Sequence, residues 1–181
     1  MKKTIVTIIS LIIFFLFSVE ANAQKFPKLD KSPMDVATYP TNWRVSDKLV
    51  KVTYSRPKLK RRSVIKLAPY GKIWRTGANE ATEITFYKDV VFGDKNVKAG
   101  RYTLFTIPGA NEWTVILSTA KNVWGSYFYK DSEDVVRVIG SVSKAKKSVE
   151  AFSIAFEDDE DKVTMYLGWG KTIVSLPIKK M

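Results

Sequence analysis

The chain is 181 residues long, carries 30 Lys and Arg against 18 Asp and Glu for a formal net charge of +12, and contains neither histidine nor cysteine. Without those two residue types, a zinc site of the usual ligand set, Ser-His-Asp and Cys-His nucleophile pairs, imidazole acid–base steps and disulfides are all excluded. Carboxylate pairs, Ser–Lys pairs, Tyr or Lys acid–base chemistry and all-oxygen Ca²⁺ or Mg²⁺ sites survive that filter.

At the N-terminus, Met1-Lys2-Lys3 and the apolar run 5–17 have the order of a charged n-region and an h-region. Ala21-Asn22-Ala23 then supplies small residues where a signal peptidase reads. Cleavage after Ala23 is expected, with Gln24 first in the mature chain. The apolar run is shorter than the roughly 20 residues of a spanning helix, so no transmembrane anchor is expected after cleavage. The expected destination is periplasmic or secreted. The signal's Lys2, Lys3 and Glu20 carry +1, which leaves +11 on 158 mature residues. That length is one domain, enough to bury a core without staples. A basic exported protein is drawn to anionic surfaces such as lipid headgroups and acidic glycans. Here the cations read as scattered along the chain, the pattern of a solubilising surface. Export also removes nucleic acid as an expected partner.

Residues 24–43 hold Pro27, Pro33 and Pro40 without sustained periodicity and read as an extended N-terminal arm. The remainder, 44–181, reads as β throughout. In 48–54, Val50, Val52 and Tyr54 alternate with Lys51 and Thr53, and in 82–87, Ile84 and Phe86 oppose Glu83, Thr85 and Tyr87. Phe152, Ile154 and Phe156 make another such face, as do Val163, Met165, Leu167 and Trp169, and Val174, Leu176 and Ile178. Segments 101–107 and 113–117 are apolar on both faces and read as central strands. Turn signals at 69–71, 93–96, 108–111 and 157–161 separate the runs at sandwich spacing. One all-β, antiparallel β-sandwich domain of about eight to ten strands is expected, with jelly-roll and immunoglobulin-like topologies both open. Pro177 would lose a ladder bond, so its strand is expected at an edge, or its last residues outside the sheet.

Three blocks carry a resemblance: PYGKIWRTGANEATEITF (69–86), KAGRYTLFTIPGANEWTVIL (98–117) and WGSYFYKDSEDVVRV (124–138). VTYSRP (52–57) and, loosely, LGWGKTIVSLPI (167–178) fit the same order. Together they resemble the bacterial domain-of-unknown-function 2911 family. The resemblance implies an all-β extracytoplasmic protein and supplies no catalytic residue.

The first block concentrates the chemistry. Turns at Pro69-Tyr70-Gly71 and Thr76-Gly77-Ala78-Asn79 hold Lys72 to Arg75 between them. The Arg75 guanidinium can grip a carboxylate or phosphate in a bidentate way, or pair with Glu80 across the turn. Trp74 can offer a stacking face for a sugar or a cation. Alternatively, Trp74 plugs the sandwich end while Arg75, Asn79 and Glu80 hydrogen-bond the turns. Trp124, Tyr127, Phe128 and Tyr129 either complete an aromatic pocket at the same end or bury against one flank. Arg56, after Tyr54 and Ser55, is a candidate second cation.

Glu80 and Glu83 are three apart on a strand and face opposite ways, which disqualifies them as a glycosidase pair needing roughly 5–9.5 Å between cooperating carboxyls. A pair would have to span strands, for example Glu80 with Asp134. Ser63 and Lys66 fail as a Ser–Lys pair by the same offset. The acidic run Glu157-Asp158-Asp159-Glu160-Asp161 lacks the alternating ligands and central Gly of a calcium loop and reads as a solvated hairpin connection. No cofactor or metal is expected. The leading functional expectation is a non-catalytic binding or interaction module of the cell envelope with an anionic or glycan ligand. Its site residues would be Trp74, Arg75, Asn79, Glu80, Arg56 and Trp124. The alternative is a carboxylate-dependent hydrolase acting on glycans.

Overall fold

The runs with period-two alternation form nine antiparallel strands in the computed structural model, which describes residues 24–159 and 162–181. The expected signal segment, 1–23, lies outside the described residues, as do Glu160 and Asp161 of the acidic run. The strands are β1 (Met34–Tyr39), β2 (Val50–Ser55), β3 (Thr82–Phe86), β4 (Val90–Phe92), β5 (Lys95–Val97), β6 (Gly100–Ile107), β7 (Glu112–Ser118), β8 (Asp134–Asp159) and β9 (Lys162–Lys180). A single-turn helix α1 (Val64–Leu67) and a 3-10 turn at Asp131–Glu133 complete the elements. Hydrogen bonding orders the strands β1-β2-β3-β6-β7-β8-β9-β4-β5 in one sheet.

That sheet folds over on itself, giving an all-β, sandwich-like architecture. Val163 near the start of β9 and Ile178 near its end line the same cavity. A straight strand would hold them roughly 50 Å apart. The corner lies at Gly170, whose φ of 60° is costly for any residue with a Cβ. Opposite it the β8–β9 ladder slips twice, between Lys144 and Val149 and between Val149 and Ser153. Such irregularities let a long strand bend. The two alternating runs 163–169 and 174–178 are therefore one strand with a corner.

Folding the sheet closes one main core. Val52 and Tyr54 of β2, Ile84 and Phe86 of β3, Leu104 of β6 and Val115 and Leu117 of β7 meet Phe152, Ile154 and Phe156 of β8 and Met165, Leu167, Leu176 and Ile178 of β9. All are buried, and each such apolar side chain contributes about 1.5–3 kcal/mol. A smaller cluster of Ala81, Phe105 and Ile116 lies under Ile73, Ile107, Val123 and Tyr129. Phe105 and Ile116 alternate with core residues along β6 and β7, so these two central strands are apolar on both faces, and loops cover the second face.

Two expectations need correction. The arm 24–43 contains β1, whose six residues pair with β2 from Met34↔Ser55 to Tyr39↔Val50. Its outer positions Met34 and Val36 are exposed, the half-buried pattern that hides an edge strand from periodicity. Pro177 is not on an edge strand, since β9 lies between β8 and β4. Its carbonyl accepts from Gly93 N–H at 2.8 Å, just beyond β4. The missing proline donor thus falls at the end of a ladder, where it costs least.

Candidate functional site

The 69–82 block is tied to the sheet by its backbone. Trp74 makes an isolated antiparallel bridge with Thr106 of β6, with N···O distances of 2.7 and 2.9 Å. Gly71 N–H reaches the Pro108 carbonyl at 2.9 Å. The Thr82 hydroxyl donates to the Thr76 carbonyl at 2.7 Å, and the Thr76 hydroxyl lies 3.1 Å from that of Thr106. These bonds hold Thr76 at φ 55° and Asn79 at φ 59°, a conformation that is strained for a β-branched residue such as Thr76.

Bridging sends Trp74 inward. Its indole is 6% exposed, stacks on Trp169 at 5.3 Å and 7°, and meets Trp113 and Phe152 edge-on at 5.9 and 5.1 Å. Trp74 is a core residue with no free face, so the expected stacking shelf is overturned and its plugging alternative holds. Arg56 is also spoken for. Its Nη1 pairs with Asp35 at 2.8 Å, its Nη2 donates to Ser153 Oγ at 2.7 Å, and its Nε donates to the Phe152 carbonyl at 3.1 Å. It lines a cleft between β1 and β8 with Asp35, Tyr54 and Ile154 and locks that seam; it is not a second cation beside Trp74.

Asn79 and Glu80 remain at the loop end. The Asp30 carboxyl is held below its usual range, first by the Ser32 N–H that donates to it at 2.6 Å and second by the Asn79 side chain. The Asn79 carbonyl accepts from Gly125 N–H at 2.9 Å, Ala81 N–H donates to the Val123 carbonyl at 2.9 Å, and Glu80 bridges Trp124. The two loops are thus laced together through their backbones. Arg75 is half-buried, and its Nε is buried with no hydrogen-bond partner. Among the described residues it forms no ion pair with Glu80, so the pairing across the turn is absent.

The second loop, 119–130, leaves its aromatics outside. Trp124, Tyr127 and Phe128 are 58%, 77% and 75% exposed. Tyr129 turns in, packing edge-on against Phe105 at 5.1 Å. The Tyr129 hydroxyl donates to Asp134 Oδ2 at 2.6 Å, and Arg137 donates to the same oxygen at 2.7 Å and to the Tyr129 oxygen at 2.8 Å. Burial, reinforced by the bond to Asp134, pushes the Tyr129 phenol up to about 12. This trio clamps the root of the loop. Sequence reading treats Tyr129 and Phe128 alike; what separates them is the contact of Tyr129 with Phe105 of β6, which no local pattern shows.

A second cleft of about 310 Å³ lies between the end of β1, the end of β8 and both ends of β9, with Leu49, Val163 and Ile178 as its apolar wall. Tyr39 donates to Asp158 there, a bond that together with burial pushes the Tyr39 phenol up to about 12. Lys88 holds Asp47 at 2.6 Å across the mouth and lowers its pKa. Sequence reading missed this site because its walls come from five separate segments. Among the described residues, no group of three or more carboxylates gathers as metal ligands would.

No curated protein and no solved structure matches the chain. A family model described as a protein of unknown function, DUF2911, matches residues 32–178. The match begins just before β1, so it takes in the edge strand, both laced loops and the folded β8–β9 pair. The chain belongs to the DUF2911 family.

Proposed function

We propose that the protein is an exported, non-catalytic binding module of the cell envelope whose ligand face is the 119–130 loop where it joins residues 75–81. The backbone lacing of Glu80 to Trp124 carries this reading. It braces a loop that keeps three aromatic side chains in water, at a cost in apolar exposure that a purely structural loop would avoid. Ring faces of Trp and Tyr suit the apolar faces of sugar rings. Arg75, with a buried and unpartnered Nε, adds a group suited to a carboxylate or phosphate on the same ligand. An acidic glycan fits both features. The hydrolase alternative is not carried further, since Asp134 is engaged by Tyr129 and Arg137 and Glu83 by Arg101 at 3.4 Å.

An array of acidic and neutral glycans probed with wild type, Trp124→Ala and Arg75→Ala tests the proposal. Trp124→Ala is expected to abolish binding with a stability change within about 0.5 kcal/mol, as for other exposed positions. Arg75→Ala is expected to lose binding selectively for acidic glycans, while Arg75→Lys restores little because an ammonium lacks the planar fork. Glycan binding that survives both substitutions, or a large fall in melting temperature with no glycan bound, would retire this face. Intact mass of protein from the native envelope fraction should show loss of residues 1–23; retention of Met1 would defeat the export part of the proposal.

A further inference from the structure

The positive charge that reads as scattered along the sequence is gathered by the fold. Residues 58–66 hold Lys58, Lys60, Arg61, Arg62 and Lys66; residues 144–150 hold Lys144, Lys146 and Lys147; Lys171 follows the β9 corner. Three contacts bring these stretches together. Lys58 bridges Ala151, with Leu59 N–H on the Glu150 carbonyl at 3.0 Å. Lys171 Nζ donates to the Lys146 carbonyl at 2.8 Å. Gly170, paired with Val149, lies so close to α1 that a Cβ there would meet Val64 at 3.0 Å and Leu59 at 3.5 Å. All nine cations are exposed, and none is in an ion pair among the described residues.

Glu150 is the one carboxylate in these stretches, and its Oε1 accepts the Lys60 backbone N–H at 2.8 Å. Nine cations against one acid give this corner a net +8, two-thirds of the +12 carried by the whole chain. Elsewhere the pattern is the reverse: Asp35, Asp47, Asp89, Asp94 and Asp134 each have a cation on them. In the middle of the cationic corner, α1 also exposes an apolar side chain, Ile65, at 46%.

We infer that this corner docks the protein on an anionic phospholipid surface. Ammonium and guanidinium groups spread over three segments, with Glu150 the single carboxylate among them, match a field of lipid phosphates. An apolar side chain among them can enter the headgroup boundary. The surface uses segments separate from the aromatic loop, so it stands or falls apart from the glycan proposal.

Vesicle co-sedimentation of the chain from Gln24 to Met181, without the apolar run 5–17, tests it, using phosphatidylcholine vesicles with and without about one-third phosphatidylglycerol. Binding is expected only to the anionic vesicles and should weaken sharply between roughly 0.1 and 0.5 M salt, as screening shortens. Lys144→Ser with Lys146→Ser and Lys147→Ser should lower partitioning on the order of a hundredfold, and replacing the same three by Arg should preserve it. A control that removes the same charge from the arm, Lys25→Ser with Lys28→Ser and Lys31→Ser, should change partitioning less than tenfold. Ile65→Ser should weaken binding several-fold without changing its salt dependence. Equal loss in the control triple would show a bulk charge effect and overturn the site. Equal binding to phosphatidylcholine, or retention on sulfated polysaccharide or nucleic acid without vesicle binding, would overturn the lipid assignment.

Discussion

Trp74 and Trp124 sit in two loops joined by backbone hydrogen bonds, yet one indole is 6% exposed and the other 58%. Composition does not separate them, since both lie in turn-rich stretches within three residues of a glycine. Position in the ladder does. Trp74 bridges Thr106 within the folded sheet, where strand alternation points its side chain at the second layer and Trp169 waits to stack on it. Trp124 bridges Glu80 outside the last strand pair, where no second layer faces it. A one-residue bridge therefore decides whether an aromatic side chain is buried in the core or left in water.

The strongest way to break that comparison is to remove the buried partner. Trp74→Ala deletes an indole in contact with Trp113, Trp169 and Phe152 and should cost about 3–5 kcal/mol. For a domain of this size that lowers the melting temperature by on the order of 10 °C. Scanning calorimetry on Trp74→Ala and Trp124→Ala should give a large shift for the first and almost none for the second. Equal shifts would mean that the 119–130 loop is structural after all.

Next in size is the hairpin that presents Trp74's partner strand. A Cβ at Gly109 would collide with the Glu112 carbonyl oxygen, and neighbouring Pro108 receives the Gly71 N–H that anchors the 69–82 block. Gly109→Ala should destabilise by about 1–3 kcal/mol, as overpacking does, and should loosen Gly71. Amide exchange at Gly71 unchanged from wild type would refute the coupling. Arg56→Ala is smaller, about 1 kcal/mol, because its pair with Asp35 is partly solvated. Urea denaturation should show that loss with the m-value preserved. A loss above 3 kcal/mol would mean the β1–β8 seam is closed mainly by this residue.

Much of the fold was legible because one-sided burial imposes period two, and Val52, Ile84, Phe152, Met165 and Leu176 all fall on the core face that alternation assigns. The corner at Gly170 was not, since two runs of alternation look the same whether a turn or a bent strand joins them. β1 was missed because Met34 and Val36 face solvent at an edge. At the proposed site, the sequence singled out the 69–82 block and left Trp74 between a stacking shelf and a plug, and its burial decides for the plug. Ile73 and Trp74 are adjacent and both apolar, so no alternation in the sequence marks which of them enters the main core. Arg56 and the cationic corner depend on contacts between residues about 90 apart, such as Lys58 with Ala151, and no local pattern carries those.

The smallest effect compares two of the raised phenols, Tyr129 at the root of the aromatic loop and Tyr39 in the opposite cleft. Both are pushed up to about 12, Tyr129 chiefly by burial and Tyr39 chiefly by its bond to Asp158. Between about pH 10 and 12 the folded chain therefore holds protons that the unfolded chain has released. That contribution to stability is complete below about pH 10 and is lost as pH rises through 12. Tyr39→Phe and Tyr129→Phe should each flatten the fall in stability over that window, measured against wild type so that lysine titration cancels. Each should leave the stability profile between pH 6 and 9 parallel to wild type. If Tyr129→Phe keeps the full wild-type slope, the Tyr129–Asp134–Arg137 clamp does not hold its proton in solution, and the loop root must be fixed by the Phe105 contact alone.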